Sequence, residues 1–266
     1  MLKKIVALML SFLMIVLFVA CGAPKNKSVA RSIEDIKNSG KLIVATSADY
    51  PPYEFLTRDN GIQGLDIEIA RIIAEELGVE LQIDDMDFKD LLTVLEAGEC
   101  DMVIAALTPD EERKKSVDFS EIYYLAKQSV VVRKADLDKY RTVEDFTGKT
   151  ICAQSGSTQE DIAHEQFAGA EVTTLAKMGS LILELQTGRV EAIVMELPVA
   201  EMYATINPEL AVSTVAIADT VASNAIAVAK GNGGLLEHIN KVLATLDEKT
   251  VNDMARAAAA LSENEL

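Results

Sequence analysis

Leu91-Leu92-Thr93-Val94-Leu95-Glu96-Ala97-Gly98-Glu99-Cys100-Asp101-Met102-Val103-Ile104-Ala105-Ala106-Leu107 lies without a gap over Leu181-Ile182-Leu183-Glu184-Leu185-Gln186-Thr187-Gly188-Arg189-Val190-Glu191-Ala192-Ile193-Val194-Met195-Glu196-Leu197. Each copy is a leucine-rich stripe at helical spacing, stopped by glycine and followed by an apolar run of strand length. The glycine, the acid three positions later and the final leucine coincide. A second overlay precedes the first in both halves: Lys41-Leu42-Ile43-Val44-Ala45-Thr46-Ser47 matches Lys149-Thr150-Ile151-Cys152-Ala153-Gln154-Ser155. Leu-rich helices ending in glycine are common enough that one match could be chance. Two matches in the same order imply two similar α/β units.

The segments around the repeat have the same character. Leu42 to Ala45 is a continuous apolar run suited to a strand covered on both faces. Leu65, Ile69, Ile72, Ile73 and Leu77 recur at helical spacing and end at Gly78. Val79 to Ile83 reads as the next strand, Phe88 to Leu95 as a helix, and Met102 to Ala106 as a strand. Alternation of this kind implies a mostly parallel sheet with helices on both faces in each lobe, with ligands at the carboxyl ends of the strands. After the second unit, Asn224 to Ala229 reads as a further strand, Gly233 to Leu246 as a helical stripe, and the Ala-rich Ala255 to Ala260 as a helix. The chain is therefore expected to return to its first lobe. That assigns residues 39–131 and 224–266 to lobe one and 132–223 to lobe two, with crossovers near Ser129 to Arg133 and Val221 to Ala227.

The 266 residues are 49% hydrophobic and 25% charged, with a formal net charge of −17. Such acidity argues against a nucleic-acid partner, since phosphate binding needs clustered Lys and Arg. Three cysteines are too few for a disulfide scaffold, and no C-x-x-C or H-E-x-x-H spacing suggests a metal. Gly148-Lys149-Thr150 lacks the earlier glycine of a phosphate-binding loop, and Gln154-Ser155-Gly156-Ser157 has the wrong order for a nucleophile elbow. No cofactor is expected. Cys100 and Cys152, in opposite lobes, read as buried free thiols, and His164 and His238 as surface or packing residues.

Met1 to Lys4 is a short basic start and Ile5 to Ala20 an apolar run, the layout of a secretory signal and too short for a spanning helix. Its end, Phe18-Val19-Ala20-Cys21-Gly22, resembles the lipobox of bacterial lipoproteins, although Phe18 stands where leucine is usual. The resemblance implies cleavage after residue 20 and a diacylglycerol anchor on Cys21, with residues 21–38 a linker. An ordinary signal peptide with an incidental cysteine is the alternative. Removing residues 1–20 takes away two lysines and no acid, moving the charge from −17 to −19.

Two strand ends carry capping patterns: Thr108-Pro109-Asp110-Glu111 in lobe one and Ser157-Thr158-Gln159-Glu160 in lobe two. Each would present backbone N–H groups and the positive end of a helix dipole to an anion. Arg113, five residues beyond Thr108, is placed either to return its guanidinium to that point or to remain a solvated charge among Glu111, Glu112, Lys114 and Lys115.

Ala48-Asp49-Tyr50-Pro51-Pro52-Tyr53-Glu54-Phe55, Gly61 to Glu68, Met86-Asp87-Phe88, Asp101 to Thr108 with Arg113, and Val117-Asp118-Phe119-Ser120 together resemble the bacterial polar amino-acid substrate-binding proteins of ABC transporters, family 3, in lipoprotein form. The resemblance runs from about Gly40 to Ala229. It implies a two-lobed type II periplasmic-binding-protein (Venus flytrap) fold that captures an amino acid and delivers it to a transporter permease. The protein would be a monomer, held by its lipid on the extracytoplasmic face of the cell membrane. By the same resemblance, Tyr50 and Phe88 sandwich the ligand's apolar part. Arg113, Thr108, Ser157 and Thr158 take its carboxylate, and the Ala106 carbonyl and Glu196 its ammonium. Glu196 stands where the family usually has Asp, and Ser47 where binders of cationic amino acids often have an acid. A polar, uncharged or basic amino acid is expected. Relatives of this fold include cyclohexadienyl dehydratases, so the alternative is an enzyme with Glu196 as general acid.

Overall fold

The computed structural model describes residues 30–218 and 221–266; the signal segment and Cys21 lie outside the described residues. The strands are β1 (Lys41–Thr46), β2 (Asp49–Tyr50), β3 (Glu54–Leu56), β4 (Ile62–Gln63), β5 (Glu80–Asp85), β6 (Met102–Val103), β7 (Val117–Phe119), β8 (Tyr124–Arg133), β9 (Thr150–Gln154), β10 (Glu171–Leu175), β11 (Ala192–Glu196), β12 (Leu210–Val212), β13 (Val221–Asn224) and β14 (Ala227–Ala229). They build one sheet in the order β5-β1-β6-β14-β7 and a second in the order β10-β9-β11-β8-β12 with β13 added on β8. A small sheet, β2-β3-β4, sits on the first lobe.

In the first sheet β5, β1 and β6 pair in parallel, while β14 is antiparallel to both its neighbours. In the second, β10, β9 and β11 are parallel and β8 is antiparallel to both β11 and β12. Each five-strand path thus has a single reversed strand. The reversed strands are those by which the chain arrives from the other lobe, and this is why they run against the βα units around them.

The first crossover differs from the expectation. Gln128 to Val132 pair with β11 inside the second sheet, so the change of sheet comes earlier, where Tyr124 to Lys127 pair antiparallel with Asn224 to Val221. β8 reads as one extended segment whose apolar run, Val130 to Val132, begins only after the polar Lys127-Gln128-Ser129 at which its partner changes. Residues 128–131 belong with lobe two, and the expected boundary at 131 moves accordingly. The linker is shorter than expected too. Ile33–Ser39 is a helix with Ser32 and Asp35 forming a capping box, Gly40 in the left-handed region closing it, and Ile36 fully buried.

Three strand and helix ends are also corrected. β6 ends at Val103 rather than Ala106, because side chains replace the ladder: the Thr46 hydroxyl donates to the Ile104 carbonyl at 2.7 Å and Asp66 accepts the Ala106 N–H at 2.8 Å. The expected Asn224–Ala229 strand is broken at Ala225 and Ile226, whose N–H groups go to the Leu107 carbonyl and the Ser120 hydroxyl. The capping pattern at Thr108 starts no helix. Asp110 accepts the Arg113 N–H at 2.7 Å and its carbonyl accepts that of Lys114, so only a single turn, Arg113–Ser116, follows.

One hydrophobic cluster runs through both lobes, from Leu65 and Ile69 to Leu181, Leu185 and Val199. The C-terminal helix, Glu248–Glu265, contributes Val251 and Ala255 to it and rests on helices of both lobes, Leu65–Leu77 and Leu197–Ile206. Its Ser262 hydroxyl lies 3.2 Å from the Met202 sulfur. Among the described residues no helix is long and apolar enough to cross a membrane.

Candidate functional site

The carboxyl ends of the two sheets face each other, and the expected residues form two groups there. The first surrounds Arg113. Its side chain is 11% exposed, whereas Lys114 and Lys115 are 48% and 69% exposed and pair with Glu111 and Glu112. Of the charges in this run, Arg113 is the one that turns inward. Its Nη1 donates to the Thr108 carbonyl at 2.8 Å and its Nη2 to the Gly156 carbonyl of the other lobe at 3.0 Å. Its Nε pairs with Asp110 at 3.2 Å, and the guanidinium carbon stands 5.6 Å from the centre of the Phe88 ring. Burial lowers the Arg113 pKa, with Asp110 and Asp161 acting against it.

Ser157 caps the nine-residue helix Thr158–Gln166 by accepting the Glu160 N–H, and its hydroxyl donates to the Gln154 carbonyl at 2.7 Å. That hydroxyl is committed to the cap. Thr158, first in the helix, is half-buried. Gly156 has φ +78°, and a Cβ there would come 3.1 Å from Lys89 of the opposite lobe, so the two lobes meet closely at this point.

The second group surrounds Glu196, the last residue of β11. Its Oε2 accepts from the Tyr53 hydroxyl at 2.6 Å and from Asn224 at 3.3 Å, and its backbone N–H donates to the Tyr50 hydroxyl at 3.0 Å. The Tyr50 and Tyr53 rings stack at 6.0 Å. Tyr50 thus engages Glu196 and Tyr53, while Phe88 lies in the Arg113 group. Burial pushes the Glu196 carboxyl up to about 7, opposed by its bonds from Tyr53 and Asn224.

Beneath the two groups lies Ala106, at φ +45°. A non-glycine residue holds that conformation only when its surroundings impose it. Asp66 does so by accepting the Ala106 N–H, and it is itself fixed by the Tyr123 hydroxyl at 2.8 Å. Burial raises Asp66 to about 6 and holds the neighbouring Glu54 well above the ordinary carboxyl range. As an ionised carboxylate, Glu54 would leave both oxygens without a partner in the core. Burial, and after it the charge of Asp66, favour the protonated form of Glu54.

Tyr53, Glu54, Asp66, Tyr123 and Asn224 were not among the expected site residues. Asp66 is legible in hindsight: with Ile69 and Ile73 it falls at i, i+3 and i+7 on the buried face of the Leu65–Leu77 helix. Tyr123, just before the first hinge strand, and Asn224, at the end of the second, have no local signal at all. Cys100 and Cys152 are buried free thiols pushed up to about 12 by burial. Among the described residues no group of three or more His, Cys, Asp or Glu side chains is arranged to hold a metal.

The family model for bacterial extracellular solute-binding proteins, family 3, matches residues 42–257. The chain is 32% identical to the arginine-binding extracellular protein ArtP of Bacillus subtilis over 92% of this chain and 93% of that one. The crystal structure of the amino acid ABC transporter substrate-binding protein AbpA from Streptococcus pneumoniae bound to L-arginine superposes with a TM-score of 0.83 at 37% identity, covering 86% of this chain and 98% of that one. The ancestral amino acid-binding protein AncCDT-1, a precursor of cyclohexadienyl dehydratase, superposes with a TM-score of 0.79 at 31% identity, covering 85% and 98%.

Proposed function

Because the chain belongs to the bacterial extracellular solute-binding proteins of family 3, we propose that it captures an L-amino acid between its lobes and delivers it to an ABC importer. The observation that carries this is Arg113, a half-buried cation at the meeting of the lobes that bonds to a carbonyl on each side. A carboxylate accepting both arms of that guanidinium would replace weaker carbonyl contacts with a charge-assisted pair. Thr108 and the N-terminus of the Thr158–Gln166 helix would supply further donors, with Ser157 holding that end in place. Glu196 and the Ala106 carbonyl, at equivalent ends of the repeat, would take the ammonium, and Tyr50 and Phe88 the apolar part. A zwitterion held this way has contacts in both lobes, so it binds the closed form better than the open one.

Arginine is the first ligand to test, since ArtP is named as arginine-binding and AbpA was crystallised with L-arginine. Calorimetric titration of the mature chain with the twenty amino acids should show micromolar binding, worth ~−8 kcal/mol, for one or a few. No heat with any of them would remove the amino-acid assignment. The dehydratase reading has less support, because these relatives are named as binding proteins; turnover of prephenate or arogenate would restore it. We further propose that Cys21 carries a lipid and that the chain acts as a monomer at the outer face of the membrane. Release of a Cys21→Ser variant into the medium tests the anchor.

A further inference from the structure

Three helices are capped by a side chain of their own segment: Ser32, Ser157 and Asp247 each accept an N–H from the helix they precede. The helix Met178–Gln186 of lobe two has Lys177 as its N-cap residue and no side-chain cap from its own segment. The acceptor comes from the opposite lobe. Asp49, on β2, takes the Met178 N–H on Oδ2 at 2.9 Å. Its Oδ1 faces the Gln154 amide at 3.4 Å, and its carbonyl accepts from the Tyr203 hydroxyl at 2.9 Å, both from lobe two. Beside it, Lys177 pairs with Asp87 at 3.2 Å and donates to the Met86 carbonyl at 3.2 Å, both in lobe one.

We propose that Asp49 is a positioning residue for ligand retention: it caps the Met178–Gln186 helix across the cleft only while the lobes are together, and so slows ligand release without touching the ligand. A carboxylate at a helix N-terminus answers both an orphan N–H and the positive end of the helix dipole. Opening the lobes leaves that N–H and the carboxylate to water, and the lost capping free energy becomes part of the cost of opening. Burial raises the Asp49 pKa, with the bond from Met178 and the charge of Lys177 acting the other way, so a half-buried acid is held here by groups of the other lobe.

The inference rests on the reading that amino-acid binding accompanies closure. In the mature chain, Asp49→Ala should speed L-arginine release about two- to thirtyfold, the range of a lost cap, and leave the association rate nearly unchanged. Asp49→Asn keeps an acceptor oxygen and should recover most of the effect. Hydrogen exchange of the Met178 amide, taken with and without L-arginine, gives a second readout: in the closed protein its protection should fall in Asp49→Ala and largely return in Asp49→Asn. Unchanged release and unchanged exchange in Asp49→Ala overturn the proposal. Faster exchange without faster release overturns the coupling to ligand retention. If the wild-type chain binds none of the twenty amino acids, the amino-acid reading and the retention role fall together; loss of Met178 protection in Asp49→Ala then upholds the cross-lobe cap alone.

Discussion

The two halves of the internal repeat arrive at the cleft with the same spacing and present opposite chemistry. In lobe one the strand stops at Val103, Ala106 turns into the left-handed region, and the chain runs through Thr108 and Pro109 to a single helical turn that carries Arg113. In lobe two the strand continues to Glu196, and the helix Leu197–Ile206 begins at once, with Pro198 in its first turn. One end therefore delivers a strained backbone and a cation, the other a protonatable carboxyl. The duplicated scaffold sets where the two ends meet, and a few residues at each end set what they offer. A zwitterion is matched by such a pair, whereas a symmetrical repeat would offer it the same group twice.

The largest break in this comparison is Arg113→Ala, which should weaken amino-acid binding by ~2 to 5 kcal/mol in calorimetry by leaving a carboxylate unpaired in a desolvated cleft. Unchanged affinity would show that the inward turn of Arg113 serves packing alone. Gly64→Ala attacks the scaffold of lobe one. Gly64 has φ +138° and ψ 177°, a region open essentially to glycine, and a Cβ there would stand 2.0 Å from the Tyr53 carbonyl oxygen. Chemical denaturation should report a loss of about 3 kcal/mol.

Glu196→Gln removes the acid from lobe two and should cost about 2 kcal/mol of binding, as for a hydrogen bond to a charged group. It should also flatten the pH profile of the ligand-free protein. The folded Glu196 titrates at about 7, above an ordinary glutamate, so between the ordinary value and 7 the folded state holds the extra proton. Stability then falls as pH rises through that window and is greatest below it. Asp66, at about 6, adds to the same slope. Melting temperatures taken from about pH 5 to about pH 8 should decline in the wild type and decline less in Glu196→Gln. The smallest effect is Ala106→Gly, which relieves the left-handed strain and should stabilise the fold by about 0.5 kcal/mol. A destabilisation there would mean the Ala106 methyl matters more than its backbone.

Legibility followed the range of the interactions. The stripe from Leu65 to Leu77 with its closing Gly78, the cap at Ser157 and the repeat itself depend on neighbours within a few residues, and each was readable. The hinge lies a few residues earlier than the apolar run Val130 to Val132 suggests, because pairing with β13 ends at Lys127 and pairing with β11 begins already at the polar Gln128. The cap at Thr108 was misread because Asp110, equally able to cap, is nearer the turn that forms. Tyr53 and Asn224 carry no local signal because their partner, Glu196, lies 143 and 28 residues away.

By itself the sequence determined that there are two α/β units, that they are related, and which residues stand at their strand ends, because periodicity and glycine stops act over a few residues of chain. Only the tertiary structure decided that Arg113 rather than Lys114 or Lys115 turns inward, that Ala106 is held strained by Asp66, that Glu196 is raised to about 7, and that a helix of one lobe is capped by an acid of the other. Burial and desolvation sum over every neighbour in space. No local pattern can carry that sum.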